Sequence, residues 1–246
     1  KEKLYFLKIW YNDVFLYPKY KISGQDSLDY DKYWQVKRGD KVGALSDWQK
    51  ARAELIVKKL RDVGPLSLGD IGCGEGSILK YLEGKLPVTK AMGYDSSDFV
   101  LDKAGQIGIE TVKIDLSNAA DFEKISAADY NLLLEILEHI PNSEELLNCV
   151  YHKSSKGLFF SFPNTGYFIY RLRLLFGRFP RQWINFPSEH LRFWTAKDLK
   201  WWLLAQDYND FEICYYKGVP LLNKIWPYMF AAGFLVFIKK LNYEFK

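Results

Sequence analysis

The sequence predicts an α/β fold, a mainly parallel, Rossmann-like sheet of seven strands with helices on both faces. Three observations carry this. From residue 66 onward short apolar strand patterns alternate with helical ones, the order that makes a parallel sheet covered on both sides. A glycine-rich turn, Gly72, Gly74 and Gly76, follows the first of these strands. Acids then stand at the ends of successive strands, Asp70, Asp95 and Asp115, where an open parallel sheet has its ligand crevice.

Ahead of the first strand, Trp48, Ala51, Leu55, Ile56, Lys59 and Leu60 fall on one helical face, and Gly64-Pro65 ends that helix. The pattern then runs strand 66–71, helix 76–83, strand 89–94, helix 97–105, strand 110–114, short helix 119–124, strand 129–134, helix 143–152 and strand 156–161. Residues 163–194 are too long for an ordinary connection and are expected to form an inserted cap. Thr195 is suited to cap a helix over Ala196–Ala205, and Phe211–Tyr216 and Phe230–Ile238 read as closing strands. Residues 1–47 form an aromatic, helical extension ahead of a main domain over 48–246.

With 246 residues, 48% of them hydrophobic and 17% aromatic, the chain can fill a large core, and disorder is excluded. The net charge of +4, from 34 basic and 30 acidic residues, lends a nucleic-acid partner only slight support. Cys73, Cys149 and Cys214 are scattered without metal or disulfide spacing, which fits a reducing cytoplasm. The apolar run 225–238 is broken by Pro227 and Gly233 and is too short to span a bilayer. The chain starts at Lys1 and its opening aromatic residues have no signal-peptide layout, which reads as a trimmed chain.

The Asp70-Ile71-Gly72-Cys73-Gly74-Glu75-Gly76 loop lets backbone approach a ligand without meeting a Cβ. A nicotinamide loop would carry its third glycine in place of Ser77. The G-x-G-x-G spacing, with Asp70 beside it to face an ammonium group, suits S-adenosylmethionine instead. Asp95, about twenty residues on, can accept both ribose hydroxyls, with Ser96 next to it. Asp115 can accept from an adenine amino group, with Leu116 against the ring.

These motifs, with Leu68–Gly76, Gly93–Asp95 and Ile136–Pro141 in order, resemble class I methyltransferases, and the resemblance covers roughly residues 48–240. The L-E-H segment and Phe162–Asn164 are similar to MetW-like and UbiG-like proteins. The resemblance implies a Rossmann-like class I methyltransferase fold and a bound S-adenosyl-L-methionine. It also implies that an N-terminal aromatic segment, here around Tyr33 and Trp34, folds over the cofactor.

Beyond strand four, Glu135, Glu138 and His139 are expected on one helical turn at i, i+3 and i+4. The segment resembles the E-x-x-E-H of small-RNA 2′-O-methyltransferases and of UbiG-like enzymes, and Glu189–Thr195 resembles the later histidine segment. That likeness implies a divalent metal on Glu135, Glu138, His139 and His190, with two histidines suiting manganese, iron or zinc at least as well as magnesium. Glu135 also borders the cofactor. As catalytic residues the candidates are His139, an acceptor base, with Glu138 and His190.

Arg171, Arg173, Arg178, Arg181 and Arg192 lie among aromatic residues with Glu189 the one nearby acid, which favours an anionic acceptor or a peripheral membrane contact. The expected activity is methyl transfer to oxygen of a small-molecule, saccharide or lipid-linked acceptor. Alternatives are a MetW-like partner protein of another enzyme and an RNA ribose methyltransferase. A nucleic-acid acceptor is disfavoured, since there is no D/N-P-P-Y after strand four and no RNA-binding module. The aromatic residues before Tyr20 also suit a homodimer contact.

Overall fold

The computed structural model describes residues 11–17, 44–180 and 190–240. Helix α1 (Asp47–Leu60) opens on a capping box, in which Ser46 Oγ accepts from Gln49 N at 3.3 Å and Gln49 Oε1 accepts from Ser46 N at 2.9 Å. It buries Ala53, Ile56 and Leu60 against the sheet. Then follow β1 (Leu66–Ile71), α2 (Ser77–Glu83), β2 (Val88–Asp95), α3 (Asp98–Gln106), β3 (Glu110–Lys113), a 3-10 turn (Ala119–Lys124) and β4 (Ala128–Leu134). A second 3-10 turn (Leu137–His139), α4 (Ser143–His152), β5 (Ser154–Pro163) and α5 (Phe168–Leu175) come next. The chain closes with α6 (Ala196–Leu204), β6 (Phe211–Tyr216), α7 (Leu222–Ile225), α8 (Pro227–Phe230) and β7 (Gly233–Lys239).

The strands pair in the order β3-β2-β1-β4-β5-β7-β6, with β7 antiparallel to both its neighbours and the other pairings parallel. This is the expected seven-stranded, mostly parallel Rossmann-like sheet. Strand order reverses between β1 and β4, which leaves a crevice at their carboxyl ends. Since β6 is antiparallel to β7, and β7 to β5, β5 and β6 run the same way. The segments that follow β5 and β6 therefore emerge on the crevice edge of the sheet.

Period-two alternation sends neighbouring side chains to opposite faces and builds two cores. Leu158, Phe160 and Phe162 of β5 and Phe234, Val236 and Ile238 of β7 pack with α4 and α6 residues such as Leu146, Val150 and Leu199. Phe159, Leu235 and Phe237 face the other way, toward α1 and α2 residues such as Ile56, Leu79 and Leu82. Each such fully buried side chain contributes about 1.5–3 kcal/mol. Thr195 caps α6 as expected, in a reciprocal box with Asp198.

One expected boundary needs correction. Phe230 is not in the last strand, because Pro227 starts a one-turn helix that Phe230 completes, and pairing begins at Gly233. The Phe162-Pro163-Asn164 segment is structural: buried Asn164 donates through Nδ2 to Ala231 O at 2.7 Å and Tyr228 O at 3.3 Å, and accepts from Gly166 N at 2.9 Å, tying the end of β5 to the start of β7. The 1–47 extension and the cap are only partly among the described residues. Within them α5 packs through Phe168 and Ile169 on Val14 of the helical residues 11–15 and on Met229 and Phe230.

Arg173 of α5 is fully buried and donates to the backbone carbonyls of Asp13, Val14, Leu16 and Phe179 at 2.8–3.1 Å. Replacing it leaves those carbonyls without their donor. Arg173→Ala is expected to lower urea stability by about 3 kcal/mol and to expose residues 11–17 to proteolysis before global unfolding; unchanged stability and protection would refute this role.

Candidate active site

The carboxyl ends of β1, β2, β3 and β4 surround a cleft of about 1250 Å³. Its floor is the turn after β1. Gly72, Gly74 and Gly76 have φ of +79°, +54° and +72°, values that favour glycine. At Gly72 a Cβ would also lie 2.0 Å from Ile136 Cδ1. The turn is pinned from β2: Gly72 N and Cys73 N donate to Tyr94 O at 2.7 and 3.0 Å, and Gly74 N donates to Asp95 Oδ2 at 2.9 Å. Asp95 Oδ1 accepts from Ser96 N at 2.8 Å and Ser97 N at 3.1 Å. Gly76 does not line the cleft; it starts α2 with its back to Ala104 and Ile109.

Asp70, 2% exposed at the end of β1, is the acid at the base of this cleft. Burial pushes its carboxyl up to about 7, against Arg52, which lowers it, and with Asp95 adding to the rise. Arg52 of α1 was not anticipated. It is 7% exposed, lines the cleft, and its Nη1 lies 3.0 Å from Glu135 Oε1, while its buried Nε has no hydrogen-bond partner. Its sequence neighbours form an ordinary helical stripe, so no motif marks it. Burial works against the guanidinium charge, but Glu135 and Tyr216 outweigh it and hold Arg52 above its ordinary value.

Glu135 leaves β4 with φ +60°, a conformation that costs a non-glycine residue about 1–3 kcal/mol. Its Oε1 holds the bend by accepting from Ser161 Oγ at 3.0 Å and from Tyr216 Oη at 3.0 Å, in addition to the Arg52 contact. Glu135 is therefore not on a helical turn with Glu138 and His139; only Leu137–His139 form a 3-10 turn. The four-ligand metal set is not assembled, because Glu135 is committed to Arg52, and among the described residues no group of three or more His, Cys, Asp or Glu is arranged to hold a metal.

The rest of that set does converge. His139 Nε2 lies 3.9 Å from Oε1 of buried Glu138, and the His139 and His190 rings meet edge to face at 4.6 Å. Leu191 N and Arg192 N donate to Glu138 O at 2.8 and 3.2 Å, which fixes His190 beside the turn. Burial, reinforced by His139 and opposed by Glu135, holds His190 down at about 4, so the ring is neutral at pH 7. All three line the same cleft.

Asp70, Gly72, Cys73, Gly74, Asp95, Ser96, Asp115, Leu116, Glu135, Glu138, His139 and His190 thus share one cleft. Asp115 Oδ1 accepts from Ser117 N at 2.9 Å and from Ser117 Oγ at 2.7 Å. Burial, then Asp70 and Asp95, raises the Cys73 thiol well above its ordinary value, so it stays protonated. Tyr33, Trp34 and Arg181 lie outside the described residues. The described cap arginines all have partners within the protein. Arg171 donates to Gly166 O at 2.6 Å, Arg173 and Arg178 hold backbone carbonyls, and Arg192 pairs with Glu144 at 2.6 Å.

A family model described as a methyltransferase domain matches residues 41–213, and the chain belongs to that family. Structural neighbours agree in fold. The methyltransferase domain of a bacterial Hen1 superposes with TM-score 0.59 at 18% identity, covering 79% of this chain and all of that one. A SAM-dependent methyltransferase from Archaeoglobus fulgidus gives 0.55 at 17%, over 87% of this chain and 100% of that one. Magnesium protoporphyrin IX methyltransferase from Synechocystis PCC 6803, with bound SAH, gives 0.55 at 17% over 85% and 94%. A probable (S)-tetrahydroprotoberberine N-methyltransferase of Papaver bracteatum is 23% identical over 104 residues, 41% of this chain but only 29% of that protein. The chain thus carries a methyltransferase domain, and it spans less than a third of the length of the curated relative it matches. Among the described residues no helix is long and apolar enough to cross a membrane.

Because the folded carboxyl of Asp70 titrates near 7, above its ordinary 3.8, the stability it confers is present at low pH and is lost as pH rises through 7. Asp70→Asn is therefore expected to raise the thermal stability of the cofactor-free protein at pH 8, on the order of a few kcal/mol, with the gain shrinking toward pH 4. The same change should weaken S-adenosylhomocysteine binding about 100-fold at pH 8, since a charge-assisted contact is lost. Calorimetry and thermal melts across pH 4–8 test both. A stability gain independent of pH, or unchanged affinity, would contradict the assignment.

Proposed function

We propose that this methyltransferase moves the methyl group of S-adenosyl-L-methionine to an oxygen of a small-molecule, saccharide or lipid-linked acceptor, with His139 as the base. The observation that carries the reading is the Glu138–His139–His190 cluster in the wall of the cofactor cleft: a carboxylate 3.9 Å behind one imidazole and a second imidazole edge-on to it. A hydroxyl is a poor nucleophile until its proton has somewhere to go, and an imidazole next to a buried carboxylate supplies that. His190, held neutral, adds no competing charge.

The cofactor, when bound, supplies an activated methyl on sulfur. Asp70 takes its ammonium group, and Arg52, with an unsatisfied Nε and a charge only partly offset by Glu135, takes its carboxylate. Glu135 acts through Arg52 rather than on the cofactor directly. Asp95, already oriented by three backbone N–H groups, accepts the ribose hydroxyls, and Asp115 with Leu116 borders the adenine. His139 would accept the hydroxyl proton while the bound cofactor supplied its methyl group to the acceptor oxygen. Holding both reactants in line does much of the remaining work.

With a radiolabelled methyl donor and a fractionated extract as acceptor pool, His139→Gln should cut turnover about 10²–10⁴-fold while S-adenosylhomocysteine affinity stays within about threefold. Undiminished turnover would remove His139 from the mechanism. Glu138→Gln is expected to fall between the two.

A further inference from the structure

The crevice edge of the sheet carries a second feature that methyl transfer does not use. After β5, helix α5 and the turn beyond it expose Leu174, Leu175 and Phe176; after β6, the α7–α8 hairpin exposes Leu221, Ile225 and Trp226. The most exposed are Leu175 at 76% and Ile225 at 79%, in a protein with apolar residues enough to fill its cores. The two segments are one structural unit: Phe168 of α5 lies 5.4 Å from Phe230 of α8, which lies 6.1 Å from Trp226, and Phe176 lies 5.1 Å from Phe15. Large exposed apolar side chains gathered on one structural unit suit an interaction surface.

Charge says what kind of partner. Residues 164–180 and 213–238 contain no Asp or Glu, yet hold Arg171, Arg178, Lys217 and Lys224 besides the buried Arg173. Arg171 and Arg178 bond to backbone carbonyls, which satisfies their geometry without neutralising their charge. Among the described residues Asp13, in the helical residues packed on α5, is an acid beside this unit, adjoining Tyr167 and Tyr170. Tyr17 stacks under the Arg178 guanidinium at 4.9 Å, and Trp226 and Tyr228 add rings with one polar end. Apolar side chains, amphipathic rings and cations on one acid-poor face match the boundary of an anionic bilayer, where each kind of group has its own layer.

We infer that this face of the α5 and α7–α8 unit docks on an anionic lipid surface. Such docking needs no membrane-spanning segment; this face lies on the interface, with the cleft on the same edge of the sheet. Docking of this kind is independent of which acceptor is methylated, and is measured without one. A lipid-linked acceptor would reach the cleft from the plane of the membrane.

The test is sedimentation of the full chain with vesicles of phosphatidylcholine alone or with 30% phosphatidylglycerol, beside the double variant Leu175→Glu, Ile225→Glu. Both positions are exposed, so the variant should keep its melting temperature and its S-adenosylhomocysteine affinity. The expected result is at least tenfold tighter partition to the anionic vesicles than to neutral ones, a blue-shifted tryptophan emission on binding, loss in 0.5 M salt, and a tenfold or larger loss in the variant. Failure to bind either vesicle, equal binding to both, or undiminished binding by the variant would overturn it. So would a dimer in light scattering that the same substitutions dissolve in the absence of vesicle binding, which would assign the face to a second copy.

Discussion

One buried cation organises the cleft. Arg52 reaches from α1 to Glu135 at the end of β4, and the same carboxylate oxygen takes hydroxyls from Ser161 of β5 and Tyr216 of β6. A single carboxylate oxygen thereby joins one helix and three strands at the crevice edge. Removing either partner would leave a charge in a place that does not solvate it, a far larger cost than a surface pair could impose. Tyr216 remains a donor because burial, then Glu135, raises its phenol well above the ordinary value. The strained φ of Glu135 is tolerated because these contacts over-determine it.

Around that cation the acids divide by what holds them. Asp95 is anchored by backbone N–H groups of the glycine turn and of the β2–α3 connection, so its carboxylate also fixes the shape of the loop beside it. Asp70 is buried and close to neutrality, waiting for a positive partner. A cleft with one guanidinium whose Nε lacks a partner and one reluctant carboxylate is suited to both ends of an amino acid. That is the end of S-adenosylmethionine that a dinucleotide lacks, and it accounts for the acid and the glycine spacing together.

Much of this was legible in the sequence. Strand and helix periods located the sheet, the punctuation at Gly64-Pro65 and Thr195 located helix ends, and the glycine turn with Asp95 located the cleft. What escaped detection has physical reasons. Arg52 sits in a helix whose pattern speaks only of packing, and its role arises from strands more than eighty residues away. Glu135 was misjudged because E-x-x-E-H spacing describes a helix, whereas the chain leaves β4 through a left-handed bend that local pattern does not encode. Sequence also counts the cap arginines as charges without showing the backbone carbonyls that Arg171 and Arg173 bond.

The central claim, that buried Asp70 and Arg52 grip the amino-acid end of the cofactor, has a direct calorimetric signature. S-adenosylhomocysteine binding measured in buffers of different ionisation enthalpy should release about one proton per site at pH 6, as Asp70 ionises against the ligand ammonium, and almost none at pH 8. Arg52→Gln should weaken binding while leaving that release in place. Binding without proton release at pH 6 would contradict the account, because Asp70 would then be ionised before the ligand arrives or would not meet its ammonium group.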